Sequence, residues 1–252
     1  MLARITAAAE GSDAGDRPSR VDLAATVLGD SHALDCGSRT STAITRALAL
    51  LYGGSGREGP WTRAGVNLDR VSAPVLAWGL VVDRSEPLAD LLHAAIDLGV
   101  PIHLSQLALR RHPVQVAAGV DILVTENPRL VEAACEHRTD YPVVALNGNP
   151  SGAARLLVAQ LLRSGAALRY HGDFDSVGLR ICARMHRLGL VPWHMGTRDY
   201  LDAVHAAELD GSTLPVDQHR APPTPWDAEL QAAFDGCRRV VHEERLIAEL
   251  LS

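Results

Sequence analysis

Lysine is absent: all 24 basic side chains other than histidine are arginine. That removes a Walker-A lysine, a Schiff-base lysine and a lysine general base from consideration. A GC-rich coding sequence explains the arginine bias as well as function does, so only the exclusions count. Aromatic residues are scarce, at 4%, and the core must therefore be aliphatic. The four cysteines (Cys36, Cys135, Cys182, Cys237) lie far apart with no Cys-x-x-Cys pair, which fits neither a zinc site nor a disulfide framework. No apolar run approaches the ~18 residues of a membrane span. The first ten residues lack the apolar core of a signal peptide, so a cytoplasmic protein without a membrane partner is expected. The net charge of −6 gives no support to nucleic-acid binding over the whole surface. An acidic cluster flanked by local arginine patches remains compatible with it.

What is present concentrates in Leu168-Arg-Tyr-His-Gly-Asp-Phe-Asp-Ser-Val-Gly-Leu179. An apolar run enters Tyr170-His171-Gly172, two aspartates follow one residue apart, and helical spacing then begins. In extended chain, side chains i and i+2 point the same way, so Asp173 and Asp175 can aim at one point, ~6 to 7 Å apart at their Cα atoms. Two such carboxylates repel each other, and a hard divalent cation relieves the repulsion. A strand that ends in acidic residues and passes into a helix places them at the carboxyl edge of a parallel sheet, where open α/β folds bind ligands. The plainer alternative is that Asp173 closes a turn and Asp175 caps the next helix.

At 252 residues the chain holds one sizeable domain or a domain with an appendage. Residues 1–70 read as a mainly helical N-terminal segment. A polar tail to about residue 20 is followed by helices over Val21–Leu28 and Thr40–Tyr52, a loop over Gly53–Pro60, and a short helix over Trp61–Asp69. His32 and Asp35 form a pair at a polar helix junction. Residues 71–252 read as an α/β domain. A strand over Val75–Val82 leads to a helix over Glu86–Leu98, and Ile102–Leu109 is either strand or short helix. Strands over Val120–Thr125, Tyr141–Leu146, Ala167–His171 and Val191–Met195 then alternate with a helix that starts at Asn127-Pro128 with an apolar face of Leu130, Val131, Ala134 and Cys135, and with helices over Ala153–Arg163, Val177–Leu188 and Arg198–Ala207. In the third of these helices Leu179, Cys182, Met185 and Leu188 face inward. Asn127-Pro128 and Asn147-Gly148-Asn149-Pro150 both carry the N-cap and first-turn chemistry of a helix start. A Pro-rich loop over Pro215–Pro225 precedes two closing helices, Trp226–Phe234 and Arg238–Leu251.

Four strand–helix units with right-handed crossovers make a Rossmann-like parallel sheet with flanking helices. Glu126 ends the first of these strands as Asp173 ends the third. Neighbouring strands lie ~4.8 Å apart, so Glu126 shares a site with Asp173 and Asp175 if those strands are adjacent.

That order of carboxylates resembles the Toprim domain of topoisomerases, bacterial primases and some nucleases. More closely, His171-Gly172-Asp173-Phe174-Asp175 with Gly178-Leu179, together with Val124-Thr125-Glu126-Asn127-Pro128, is similar to the D subunit (JetD) family of Wadjet anti-plasmid systems. Gly29-Asp-Ser-His-Ala-Leu-Asp35, Trp61 and Gly65-Val66-Asn67-Leu68-Asp69 fit the same family. The resemblance implies a Toprim fold and a dimeric, Mg²⁺- or Mn²⁺-dependent DNA endonuclease that cuts plasmid DNA with an SMC-type motor complex. It implies Glu126, Asp173 and Asp175 as catalytic and metal-binding residues. It also implies an arm and winged helix ahead of the Toprim domain, for which residues 1–70 are too few, so a shortened form is expected. Ser176 stands where the family pattern leads one to expect tryptophan; the acidic residues are unaffected.

Several further residues are candidates on position. His171 holds a phosphate or supports a carboxylate, or is structural. Asn147 and Asn149 lie at a neighbouring strand end. Glu243 and Glu244 supply extra acidic ligands or face solvent. Arg180, Arg184 and Arg187 contact DNA phosphates or form a solvated face. Three rival readings exist. A topoisomerase-VI-like transesterase needs an upstream tyrosine, and Tyr52 sits at a helix end where packing explains it. A haloacid-dehalogenase-type phosphatase carries its Asp-x-Asp on the first strand and usually needs a lysine. A Toprim scaffold that binds DNA or an SMC partner without cutting has no need of three mutually repelling carboxylates.

Overall fold

The structure is a computed structural model that describes residues 18–35, 37–53, 59–66, 71, 73–148 and 150–251. Residues 1–17 of the expected N-terminal tail, most of the loop after Gly53, the Asn67-Leu68-Asp69 motif, Cys36 and Asn149 lie outside the described residues. The chain divides into two compact units, Met1–Ala73 and Pro74–Ser252.

In the first unit, α1 (Arg20–Leu23) begins with a capping box in which Ser19 and Asp22 satisfy each other's backbone amides. It continues as a π-helical turn over Ala24–Leu28 and stops where Gly29 adopts φ 73°, a left-handed conformation that glycine adopts without steric cost. Ser38 caps α2 (Arg39–Tyr52). The third helix, α3, spans Gly59–Arg63, earlier than its spacing suggests. Ile44 and Leu48 of α2 pack with Leu23, Leu34 and the fully buried Trp61. The Trp61 Nε1–H donates to Thr45 Oγ1 at 2.7 Å, which satisfies the one polar atom this ring brings inside. His32 Nδ1 and Asp35 Oδ2 meet at 2.9 Å on the open surface.

The second unit is a Rossmann-like α/β layer. Its elements are β1 (Val75–Trp78), α4 (Ala89–Leu98), β2 (Ile102–Leu104), α5 (Gln106–Arg111), β3 (Asp121–Thr125), α6 (Pro128–His137), β4 (Val143–Ala145), α7 (Gly152–Arg163), β5 (Ala167–His171), α8 (Ser176–Arg187), β6 (Val191–Pro192), α9 (Thr197–Leu209), α10 (Leu230–Cys237) and α11 (Ile247–Leu250). The six strands run in the order β2-β1-β4-β3-β5-β6. β4, β3, β5 and β6 are mutually parallel, while β1 is antiparallel to both β2 and β4. The ambiguous run after Ile102 is strand and helix in succession, separated by Ser105, whose hydroxyl caps α5.

Both faces of the sheet are covered. Along β3, Ile122 and Val124 enter the larger core with α7 and α8, whereas Leu123 enters the smaller one with α6 and α11. This alternation follows from the two-residue period of a strand, and burial on both sides explains why β3 reads as an unbroken apolar run.

Three expectations are corrected. The strand at Val191 lasts only to Pro192: Trp193 N–H still donates to the Tyr170 carbonyl at 2.8 Å, and the chain then turns left-handed at His194 (φ 50°). Leu188 is 48% exposed: α8 has ended, and Leu190 takes the inward place beyond Gly189. The closing helix from Arg238 does not form. Arg238 turns left-handed (φ 52°), Arg239 and Val241 make antiparallel bridges to Val216 and Phe174, and only a 3₁₀ turn at Glu243–Arg245 and α11 follow. Val240 and Val241 are β-branched, and extended chain suits them better than helix.

Phe174 fastens this segment. Its backbone exchanges hydrogen bonds with Val241 at 2.9 and 3.2 Å. Its buried ring packs edge-on to His171 at 6.1 Å and tilted against Tyr200 at 5.3 Å. Phe174→Ala should lower unfolding free energy by about 3 to 5 kcal/mol, the usual cost of removing a buried ring. Urea denaturation checks it; a loss under ~1 kcal/mol would show that the ring does not anchor the segment.

Candidate metal centre

The sheet brings Glu126 and Asp173 together because β3 and β5 are direct neighbours, with Thr125 opposite His171 at their carboxyl ends. Glu126 follows Thr125. Asp173 follows His171 by two residues. β4 lies on the other side of β3, and its turn at Asn147-Gly148 touches the same edge: Gly148 N–H donates to the Glu126 carbonyl at 3.2 Å. Asn147 is exposed in a left-handed conformation (φ 59°), and its role here is to make that turn.

The C-terminal segment closes the site from above. Glu243 is fully buried. Its Oε1 accepts from Thr125 Oγ1 at 2.6 Å and from His171 Nδ1 at 3.0 Å, and its Oε2 accepts from the Asn127 N–H at 2.8 Å. Its own N–H donates to Asp173 Oδ1 at 2.8 Å, while His242 Nδ1 meets Asp173 Oδ2 at 3.1 Å. Asn127 caps α6 through its Oδ1 and donates from Nδ2 to Glu244 Oε1 at 2.6 Å. Glu243, at the start of the 3₁₀ turn, is thus a buried tie rather than a solvent-exposed side chain, and His171 supports it.

Asp173, His242 and Glu244 each offer a ligand atom, all within 4.8 Å of one another. This group could hold a divalent cation; among the described residues it is the set of three or more His, Cys, Asp or Glu with that spacing. It shares Asp173 with the triad expected from sequence. Asp175 lies outside that group, although its charge reaches Glu126 and His242. Its Oδ1 accepts from Val177 N–H at 2.9 Å and Gly178 N–H at 2.6 Å, capping α8. Glu126 Oε2 is buried and has no hydrogen-bond partner. Arg180 and Arg184 lie on α8, Arg180 exposed and Arg184 half-buried. His242 carries no signal of its own in the sequence. The Val240-Val241 pair just before it was the local hint that this stretch is extended.

The electrostatics are those of a charge cluster with too little solvent. Burial, then the charges of Asp173, Glu243 and Asp175, push Glu126 up to about 8, with the Asp173 amide opposing the rise. Burial pushes Glu243 up to about 8 as well, and Asp173 and Glu244 add to the rise, against the hydrogen bonds from Thr125 and Asn127. Burial also lowers His171 to about 4. His171 is therefore neutral near pH 7, and its contact with Glu243 is a hydrogen bond between buried groups rather than an ion pair. His242 moves the other way, raised chiefly by its bond to Asp173.

Fold and cluster together define an α/β protein with a carboxylate-rich candidate cation site at the carboxyl edge of its sheet. A family model described as protein of unknown function C-terminus (DUF2399) matches residues 102–252, and the chain belongs to this family. A second model, described as protein of unknown function N-terminus (DUF3323), matches residues 2–82. No curated protein matches the sequence. Among the described residues no helix is long and apolar enough to cross a membrane.

A carboxyl whose folded pKa lies above its unfolded value favours the folded state at low pH and weakens it as pH rises. For Glu126 and Glu243 the window runs from about 4.5 to about 8. Without divalent cations, the melting temperature should therefore fall as pH is raised from 5 to 8.5. Glu126→Gln should flatten that slope and raise the melting temperature at the alkaline end. Differential scanning fluorimetry across this range checks both, and an unchanged slope in the variant would contradict the assignment.

Proposed function

We propose that this chain is the DNA-cutting subunit of a Wadjet-type anti-plasmid system, a JetD-like Toprim endonuclease that hydrolyses phosphodiesters with Mg²⁺ or Mn²⁺. In this reading it works in the cytoplasm as a homodimer, on plasmid DNA delivered by an SMC-type motor complex. The observation that carries the reading is the cluster at the ends of β3 and β5. There Glu126 keeps a buried oxygen without a partner beside Asp173, whose carboxylate gathers His242 and Glu244. A buried carboxyl pushed up by burial and by neighbouring carboxylates, as Glu126 is, is costly to ionise unless a cation joins it. The two matched families, one at each end of the chain, are compatible with this reading.

The donor set fits a divalent cation: two carboxylates and one imidazole, with Glu126 alongside. Asp173, His242 and Glu244 would hold it. Mn²⁺ accepts such a mixed set more readily than Mg²⁺, which prefers oxygen ligands and bound water. When bound, the ion supplies charge stabilisation for the phosphate and lowers the pKa of a coordinated water. The protein's own groups do the rest. Glu243 fixes Asp173 through its backbone N–H and holds the C-terminal segment in place. His171 and Thr125 fix Glu243. Glu126 is the candidate proton acceptor, since its carboxyl is held near neutrality rather than in the ordinary carboxylate range. Asp175 positions α8 and its amino end, and Arg180 and Arg184 on that helix are candidate phosphate contacts.

The test is nicking and linearisation of supercoiled plasmid by the full chain, alone and with its SMC-type partners, in Mn²⁺ or Mg²⁺. Activity should be weak alone and strongest with partners. Asp173→Asn, His242→Ala and Glu126→Gln should each reduce it by about 100-fold or more, as expected when several kcal/mol of transition-state stabilisation are lost. Asp175→Asn keeps a good helix cap, so the fold should survive and the loss should be smaller than for Asp173→Asn. Wild-type cutting by Asp173→Asn and Glu126→Gln would refute the mechanism. DNA binding without cutting by any wild-type assembly would point to the scaffold.

A further inference from the structure

Tyr170 is the last aromatic of β5 before the acidic loop, and its side chain is fully buried. Its hydroxyl has no hydrogen-bond partner. A buried phenol in that state is unusual, because tyrosine hydroxyls inside proteins nearly always find one. Glu126 Oε2 is another buried oxygen without a hydrogen-bond partner. The two converge on one spot, the open face of Gly172. A Cβ added there would lie 2.6 Å from the Tyr170 hydroxyl and 3.3 Å from Glu126 Oε2. The donor and the acceptor thus lack partners and lie against the same small space, which only glycine leaves open. The geometry is chemically matched: a phenol O–H donates and a carboxylate oxygen accepts.

We propose that Tyr170 is a positioning residue for Glu126. Its O–H donates to the Glu126 carboxylate, directly after a small side-chain rotation or through one bridging water held over Gly172. The bond fixes which carboxylate oxygen faces Asp173 and which faces the core. In the nuclease reading, on which the catalytic part of this inference rests, that aims the proton-accepting oxygen at the reacting centre. A free carboxyl would instead rotate between orientations, and misplacement of a proton acceptor by about 1 Å can cost 100-fold in rate. Gly172 is the accommodating partner: any side chain there would occupy the space that the two oxygens share.

Two independent measurements decide it. The first needs no activity. A double-mutant cycle of Tyr170→Phe and Glu126→Met in the full chain is read by melting temperature. The pair should be coupled, so that the effect of Tyr170→Phe differs between the two backgrounds by about 2 to 4 °C. Additivity within error would overturn the inference. Gly172→Ala supplies a second route if a variant folds poorly: it should destabilise the wild type and be partly rescued by Tyr170→Phe, which removes the atom 2.6 Å from the new methyl. Absence of rescue would also count against the shared space. The second measurement is plasmid cutting with the SMC-type partners. Tyr170→Phe should lower kcat about 10- to 100-fold, with KM and calorimetric Mn²⁺ affinity within about twofold of wild type. Coupling in the first experiment with unchanged kcat would leave Tyr170 and Glu126 paired but remove the catalytic role. No cutting by the wild-type assembly would refute the nuclease reading alone, with the cycle still deciding the pair.

Discussion

One buried carboxylate holds this site together. Glu243 reaches from the C-terminal segment into the ends of β3 and β5, where Thr125, His171 and the Asn127 amide all donate to it. Taking a carboxyl out of water is expensive, and each of these donors offsets part of that cost. The consequence extends beyond the residue itself. Because Glu243 is pinned, its amide can bind Asp173. His242 and Glu244 on either side are then carried to the same edge. Without the tie, the candidate cation ligands of the C-terminal segment would have no reason to stand beside those of the sheet.

The neutral state of His171 is part of the same arrangement. A charged imidazole would pair with Glu243 and lower its pKa, but full burial removes that option and His171 serves as an N–H donor. The fold thus supplies hydrogen bonds to its innermost carboxylate and no compensating buried cation. Glu126, beside it, is pushed up to about 8 by burial and by its carboxylate neighbours, so ionising it is costly without a cation. A divalent ion would enter from that side.

Much of this edge was legible in the sequence. β5 falls on Ala167–His171, because its apolar run is bounded by Gly165 before and by a glycine and two aspartates after. Asn127 and Pro128 mark the start of α6 by chemistry that acts over two residues. With both strand ends located, the meeting of Glu126 and Asp173 needed only that β3 and β5 be neighbours. What was not legible depends on partners far away in sequence. The bridge between Phe174 and Val241, and the contact of Asp173 with Glu243 some 70 residues on, leave no periodic trace. Residues 238–251 keep a helix-like spacing although their conformation is decided by what they dock against. The antiparallel β1 escaped notice for a related reason: four buried apolar residues look alike in either direction.

Asp175 shows how one residue type can satisfy two readings at once. Placed two residues after Asp173 with its own backbone extended (φ −140°, ψ 174°), it acts by charge on Glu126 and His242, and it also accepts two amides at the start of α8. Those demands are not exclusive, since a carboxylate has more acceptor sites than a single cap occupies. The cap does limit it: two short hydrogen bonds fix the orientation of the carboxyl, so the helix can move toward a cation only with Asp175 and not apart from it. Asp175 thus ties the start of α8, with Arg180 and Arg184 along it, to the loop that carries Asp173. In the proposed nuclease, the helix that would touch the DNA backbone and the acidic edge that would cut it are therefore one mechanical piece.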